Sequence, residues 1–244
     1  MGGDGSRDVL ARYQELAKDL GEKYGPRSQA IVFVRYEELI AARSMLLGRP
    51  GDVALRNHVT QLSRHIQDLY SMSEPDRVPT PWRRVTENGP PVIEYDRKHF
   101  EERYARVVDR VRDQVITVRD GRLFPPLTAR TAYMFVITDE GDLRIWSRPF
   151  ALTDLVFGRN RSTVGDVPVA HPMLVPERLR VTAAGEIVVL GTDHVRAVIA
   201  NTKSGHFRPP PSAGDVVRAR CRSLFGLADS DIDVFTLFGD AVAA

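Results

Sequence analysis

The chain has 244 residues, of which 43% are hydrophobic and 8% aromatic, enough apolar material for a substantial core. This composition argues against intrinsic disorder for the bulk of the chain. Basic and acidic residues nearly cancel, at 34 Lys and Arg against 32 Asp and Glu, which argues against nucleic acid or an anionic membrane as a partner. The single cysteine, Cys221, excludes an internal disulfide and a four-cysteine metal site.

Three amphipathic helices are predicted in the first third of the chain. From Val9 to Tyr24, hydrophobic residues recur every three or four positions, which indicates a first helix. The second is predicted over 28–48 and the third over about 52–72. None of these helices can bury its apolar stripe alone, so residues 1–74 are predicted to form a helical bundle.

A proline-rich stretch, residues 75–95, has no clear hydrophobic period and is predicted to be a linker. Residues 96–244 are predicted to form an α+β core. This core begins with a fourth helix, whose apolar side consists of Phe100, Tyr104, Val107, Val108 and Val111.

Most of the core has the alternating hydrophobic pattern of β-strands. Strands are predicted at 115–118, 132–138, 143–147, 179–181, 186–190, 195–201 and 232–237. Ser212 and Asp215 resemble a capping box that begins a helix ending near Leu227. Because strands are concentrated beside helices, the sequence predicts an α+β protein: an N-terminal helical bundle, then a mainly antiparallel sheet with a C-terminal helix.

No apolar run is long enough to span a membrane, since the run Ala30–Val34 is followed at once by charged residues. The first residues lack the apolar stretch of a secretory signal. We therefore expect a cytoplasmic protein with no membrane partner.

The chemically most informative segment is 201–209, which follows a predicted strand. Its small residues form a bend that presents Ser204, His206 and Arg208, and Gly205 is expected to supply unusual backbone freedom. An imidazole that titrates near neutral pH, beside a hydroxyl and a fixed positive charge, suits general acid–base catalysis. The alternative is that Ser204 and His206 only hold the turn closed by hydrogen bonds.

Two other groups of polar residues are candidate sites. Arg159 and Arg161 belong to the densest basic loop of the chain, which suits a phosphate or an acidic partner; a mobile surface loop is the alternative. His58 and His65 lie seven residues apart on the third predicted helix, a spacing compatible with a metal ion. Their arginine neighbours favour a solvated face instead, so no metal site is predicted, and the sequence identifies no cofactor.

The C-terminal half carries three motifs in a fixed order: His171–Val175 (HPMLV), Ala183–Ile187 (AAGEI) and Asn201–Pro209 (NTKSGHFRP). This order resembles a C-terminal core with the pattern HSSFLAG, AAGEI and SGHYRP, shared by plant IQ-motif calmodulin-binding proteins and bacterial effector or toxin-like proteins. The likeness covers roughly residues 130–238, and the last motif is its most specific part.

The resemblance implies a shared site. Together with the bend, it indicates four catalytic residues: His171, Glu186, Ser204 and His206. Four further residues are predicted to bind substrate: Arg208 and Asn201 of the bend, and Arg159 and Arg161 of the basic loop. Two departures limit the likeness. Pro172 and Met173 replace the two serines after His171, so no role passes to those hydroxyls, and Ile66-Gln67 lacks the rest of an IQ motif, so calmodulin binding is not implied.

Two functions remain open at this level. The first is an enzyme, a hydrolase or transferase acting on a nucleotide-like or anionic substrate, with Glu186 or His206 as general base and Arg208 holding the anion. ADP-ribosyl transfer is one version of it, suggested by the occurrence of similar cores in bacterial effectors. The second is a non-catalytic module that binds a small ligand or a protein.

Overall fold

The fold is taken from a computed structural model, which describes residues 4–71, 82–85, 90–122, 129–153 and 163–237. Its α-helices are α1 (Asp4–Tyr24), α2 (Gln29–Gly48), α3 (Val53–Ser71), α4 (Arg97–Arg112) and α5 (Ala213–Phe225). Its strands are β1 (Trp82–Val85), β2 (Val92–Tyr95), β3 (Val115–Thr117), β4 (Ala132–Thr138), β5 (Leu143–Trp146), β6 (Thr163–Val164), β7 (Val167–Pro168), β8 (Arg180–Gly191), β9 (Val195–Asn201) and β10 (Ile232–Phe235). Short 3-10 helices occupy His171–Leu174 and Asp229–Asp231.

The main sheet is built around β8, which is long enough to pair with three other strands. Along one edge it pairs with β4, and β5 and β3 continue the sheet outward in antiparallel order. Along the other edge it pairs first with β2 and then, from Glu186 onward, with β9. Only β10 is parallel to its neighbour, β9, among the described pairs. The predicted α+β class with a mainly antiparallel sheet is therefore confirmed.

Helices cover both faces of this sheet. On one face α5 packs through Ala213, Val217 and Cys221 on alternating residues of β4, β8 and β9. The opposite face is divided between two helical layers. The bundle α1–α3 covers the end that contains Val188 and Ile199, whereas α4 and the His171–Leu174 helix cover the end that contains Val136 and Ala184.

A buried ion pair joins the bundle to the sheet. Arg43 of α2 donates through Nε and Nη2 to the carboxylate of Asp233 on β10, at 2.7 and 2.9 Å. Ser63 of α3 donates to the same carboxylate. Because both ionic side chains are almost completely buried, this contact fixes where α2 and α3 lie on the sheet.

Several sequence predictions are corrected by the structure. The two strands predicted at 179–181 and 186–190 are one continuous strand, β8. The residues between them also pair with β4, apart from a bulge at Thr182, where the register shifts between Ile137 and Thr138. The capping box at Ser212 is not formed: Ser212 has helical backbone angles and its side chain makes no capping hydrogen bond. The predicted linker 75–95 contains β1 and β2, so its described part belongs to the sheet.

Among the described residues, none of the helices combines the length and the apolarity needed to cross a bilayer.

Candidate functional site

The bend after β9 is held closed by its own polar groups. The carbonyl of Ser204 accepts from the backbone N–H of Arg208 at 2.7 Å, and the Ser204 hydroxyl accepts from the N–H of Phe207 at 3.3 Å. The Phe207 ring is completely buried and anchors the bend in the core beneath α4. These described contacts of Ser204 lie within the bend, as the hydrogen-bonded-turn alternative expects.

Asn201 also shapes the backbone around the bend. Its Oδ1 accepts from the N–H groups of Glu186 and Lys203, at 3.3 and 2.9 Å, and its Nδ2 donates to the hydroxyl of Tyr36 at 3.4 Å. The side chain is 1% exposed. Asn201 therefore ties β8, the bend and the bundle together, although the sequence nominated it as a substrate-binding residue.

The unusual backbone geometry of the bend belongs to Arg208, not to Gly205. Arg208 has φ +45°, a left-handed conformation that side chains other than Gly and Asn disfavour. Gly205 is not among the described residues with positive φ, and nothing lies within 4 Å of the place where a Cβ would stand. The expectation that Gly205 supplies the special geometry was therefore wrong: the strain lies where the chain turns into Pro209 and Pro210.

His206 is held by a tyrosine from a different element. The hydroxyl of Tyr104, on α4, lies 3.0 Å from Nε2 of His206, and the two ring centroids are 6.1 Å apart. Behind Tyr104 lies Tyr95 of β2, whose ring centroid is also 6.1 Å from that of His206. Burial raises the pKa of the Tyr95 hydroxyl well above its ordinary value, with smaller contributions from Tyr104 that raise it and from Arg103 that lower it.

His171 lies beside His206, at the start of a 3-10 helix. The two imidazole centroids are 6.4 Å apart. Nε2 of His171 is 3.0 Å from the carbonyl oxygen of Gly185. A carbonyl only accepts hydrogen bonds, so Nε2 of His171 carries a proton. The side chain is 4% exposed, which makes His171 a buried neighbour of His206 and not part of an open surface.

Glu186 follows Gly185 on β8 and points to the sheet face that carries the two helical layers. Its pairing partners are Met134 on β4 and Asn201 on β9. Its charge acts on the bundle side, because it raises the pKa of both Tyr36 and Tyr70, in each case after the larger effect of burial. Glu186 therefore lies at the boundary between the bundle and the layer that contains His171.

A cleft opens beside His206. It has a volume of about 390 Å³ and lies between α4 and the strand and loop that precede the His171–Leu174 helix. One wall carries Glu102, Arg103, Tyr104 and Arg106 of α4, together with His206, and the other consists of Val167, Pro168, Val169 and Ala170. Among the residues nominated from sequence, His206 lines this cleft.

Arg159 and Arg161 lie outside the described residues. His58 bonds through Nε2 to the buried carboxylate of Glu38, at 2.9 Å, within the bundle. Within the described ranges, no cluster of His, Cys, Asp or Glu has an arrangement that suits a metal ion.

Sequence reasoning missed the partners of His206. Tyr104 was assigned to the apolar stripe of α4, and its ring is indeed buried, but its hydroxyl faces the bend. Tyr95 and Arg103 were not singled out at all. The one local signal available was that a buried tyrosine hydroxyl needs a hydrogen-bond partner, which does not identify the partner.

Comparison of the chain with protein-family models, with curated proteins and with solved structures found no match.

Proposed function

We propose that this protein is an enzyme of the hydrolase or group-transfer type, in which His206 is the general acid–base residue for an anionic substrate bound in the adjacent cleft. The observation that supports this most strongly is the hydrogen bond between Tyr104 and His206 at the wall of that cleft. Ser204 and the backbone already close the bend, and the bond to Tyr104 in addition holds the imidazole of His206 at the wall of the cleft.

The surroundings of His206 suit proton transfer. Tyr104 holds the orientation of the imidazole through the hydrogen bond to Nε2, and because a hydroxyl both donates and accepts, this bond can persist when Nε2 gains or loses a proton. His206 is half-buried and reaches the cleft, whereas His171 behind it is buried. We assign His206 to proton transfer and His171, through its bond to Gly185, to positioning the strand from which Glu186 projects.

ADP-ribosyl transfer remains one version of this proposal. In that reaction the bond between the ribose C1′ and the nicotinamide nitrogen breaks and its electron pair leaves with nicotinamide. An acceptor oxygen or nitrogen forms the new bond to C1′, and its proton passes to His206. Calorimetry with NAD⁺ and an assay for released nicotinamide test this version, and the absence of both binding heat and nicotinamide release contradicts it.

The test of the broader proposal is the substitution His206→Asn, which keeps a polar side chain of similar size but cannot titrate. Turnover is measured on NAD⁺, ATP and a phosphodiester such as 2′,3′-cyclic AMP. For the substrate that the wild type turns over, we expect the rate to fall at least about 100-fold. The melting temperature should stay within about 2 °C, since the bend keeps its own hydrogen bonds.

His194→Asn is the matched control, because His194 is an exposed histidine on the sheet outside the cleft. It should retain wild-type turnover. The opposite pattern for His206→Asn, a large loss of melting temperature with an unchanged rate per folded molecule, assigns His206 to structure and ends the proposal. Absence of turnover on every substrate class leaves the binding module as the better account.

A further inference from the structure

We infer that the cleft beside His206 binds a nucleoside phosphate, with its phosphate on Arg103 and Arg106 and its base against the Val167–Ala170 wall. The inference rests on the proposed function, because it names the substrate class of the same site. It is carried by the different chemistry of the two walls.

The basic wall suits a phosphate. Arg103 and Arg106 are three residues apart on α4, so they lie side by side on one face of that helix. The charge of Arg103 reaches the site, since it lowers the pKa of the Tyr95 hydroxyl behind Tyr104. One guanidinium group can bind two oxygens of a phosphate at once, through two charge-assisted hydrogen bonds.

Neither arginine is committed to a strong internal contact. Arg103 lies 3.5 Å from Nε2 of His99, at the limit of hydrogen bonding. Arg106 forms an ion pair of 3.0 Å with Asp166, but the two side chains are 66% and 77% exposed. Exposed pairs of this kind contribute little free energy, so a phosphate replaces the Asp166 carboxylate at small cost.

The opposite wall suits a flat, uncharged ring. Pro168 is the exposed residue of this wall and presents its apolar ring to the cleft, whereas Val167, Val169 and Ala170 are almost completely buried behind it, in the core that lies under α4. A nucleobase is flat and has an apolar face, so it can lie against such a wall. Inorganic phosphate has no such face and gains no binding free energy from this wall.

Glu102 favours one orientation of the nucleotide in the cleft. Its carboxylate lines the same wall as the two arginines and disfavours a second phosphate there, but it accepts hydrogen bonds from ribose hydroxyls. The cleft volume of about 390 Å³ is at the small end of the range for ligand pockets, which favours a single nucleoside phosphate, free or as one half of a dinucleotide, as the recognised unit.

The inference is tested by calorimetry of the full chain with AMP, adenosine and inorganic phosphate. We expect AMP to bind at least tenfold more tightly than either of its parts. The double substitution Arg103→Gln and Arg106→Gln should weaken AMP binding at least tenfold, and Arg112→Gln, on the same helix but outside the cleft, should leave it unchanged. Pro168→Asp should weaken binding of AMP but not of inorganic phosphate.

Three results overturn the inference: no binding of AMP, binding of inorganic phosphate as tight as that of AMP, or AMP binding indifferent to the paired arginine substitution. Its failure is separable from that of the proposed function. His206→Asn should still bind AMP within about threefold of the wild type, so intact binding together with an unaffected rate sinks the acid–base role and leaves the ligand class standing.

Discussion

Gly185 is the position in the site where a side chain is least tolerable. The segment that leaves β9 crosses β8 at this residue, and a Cβ on Gly185 would stand 1.9 Å from the carbonyl oxygen of Asn201. Both residues are held in place by strand pairing, since Gly185 pairs with Phe135 and Asn201 pairs with Glu186. Gly185 therefore permits the crossing that brings Asn201 and the bend against β8.

We predict that Gly185→Ala lowers the free energy of unfolding by about 3 kcal/mol, measured by urea denaturation, because the backbone must move to accept the methyl group. Gly48→Ala is the control. Nothing lies within 4 Å of the corresponding Cβ at Gly48, which ends α2, and alanine favours the helix. A stability of Gly185→Ala equal to that of the control contradicts the crossing described above.

Cys221 is a buried thiol on α5, packed against the sheet. Burial raises its pKa from an ordinary 9.0 to about 12, an effect that Arg220 and Arg218 oppose. Below pH 9 the thiol is neutral in both folded and unfolded chains, so it has no effect on pH dependence. Between pH 9 and 12 only the unfolded chain loses the proton, and the folded state is then destabilised.

We therefore expect the free energy of unfolding to fall as the pH rises from 8 to 11, and to fall less steeply in Cys221→Ala. The difference between the two curves should reach about 2 to 3 kcal/mol at pH 11. Buried Tyr36 and Tyr70, whose pKa values burial also raises, contribute equally to both proteins. Parallel curves for the two proteins mean that Cys221 titrates normally in the folded chain.

At the scale of elements, the junction between α2 and β10 depends on the ion pair of Arg43 and Asp233. Arg43 also donates to the carbonyl of Ser230, so each of its three guanidinium nitrogens has an acceptor. Both side chains are 6% exposed. Removal of one partner leaves an uncompensated charge in the core, which costs far more than the intact pair contributes.

We predict that Arg43→Met lowers the free energy of unfolding by about 3 to 5 kcal/mol, and that adding Asp233→Asn restores part of the loss. Thermal or urea unfolding of both single variants and the double variant measures the coupling. Arg222→Met is the matched control, since Arg222 and Asp229 form a pair that is 50% and 63% exposed, and it should cost less than about 1 kcal/mol. Additive effects at Arg43 and Asp233 are incompatible with the buried pair.

The helix α4 shows how one element serves both packing and the site. Phe100, Val107 and Val111 face the core, as the periodicity of the sequence predicts. Arg103 and Arg106 occupy the opposite, exposed side and line the cleft. Tyr104 belongs to the buried side, and its hydroxyl reaches His206.

At the scale of the whole molecule, the bundle and the sheet share one hydrophobic cluster. Leu39 and Ile66 of the bundle belong to the same buried set as Val188, Ile199 and Phe235 of the sheet. Tyr36 packs edge-on against Phe235, with ring centroids 5.5 Å apart. Neither part can expose this surface to water without losing the free energy of its burial.

Calorimetry is therefore expected to record one unfolding transition for the full chain, with equal calorimetric and van't Hoff enthalpies. The substitution Arg43→Met should move that single transition to lower temperature without dividing it. Two resolved transitions, the first of them sensitive to Arg43→Met, contradict the shared cluster, because the bundle then unfolds before the sheet.

The sequence by itself determined the type and place of most elements. The spacing of hydrophobic residues located α2 and α3 to within a residue or two, and it located β4 and β9 at 132–138 and 195–201. Such patterns depend on residues that are close neighbours along the chain, because each helix or strand must present one apolar side to the core. The α+β class follows from their order.

Only the tertiary structure decided which distant residues meet. Tyr104 and His206 are 102 positions apart, and Arg43 and Asp233 are 190 apart, so no local pattern relates the members of either pair. The same holds for the left-handed backbone of Arg208, which results from the course of the bend into Pro209 and not from its own residue type. Local periodicity determines which side of each element is buried, but the contacts that form the candidate site depend on how those sides pack together.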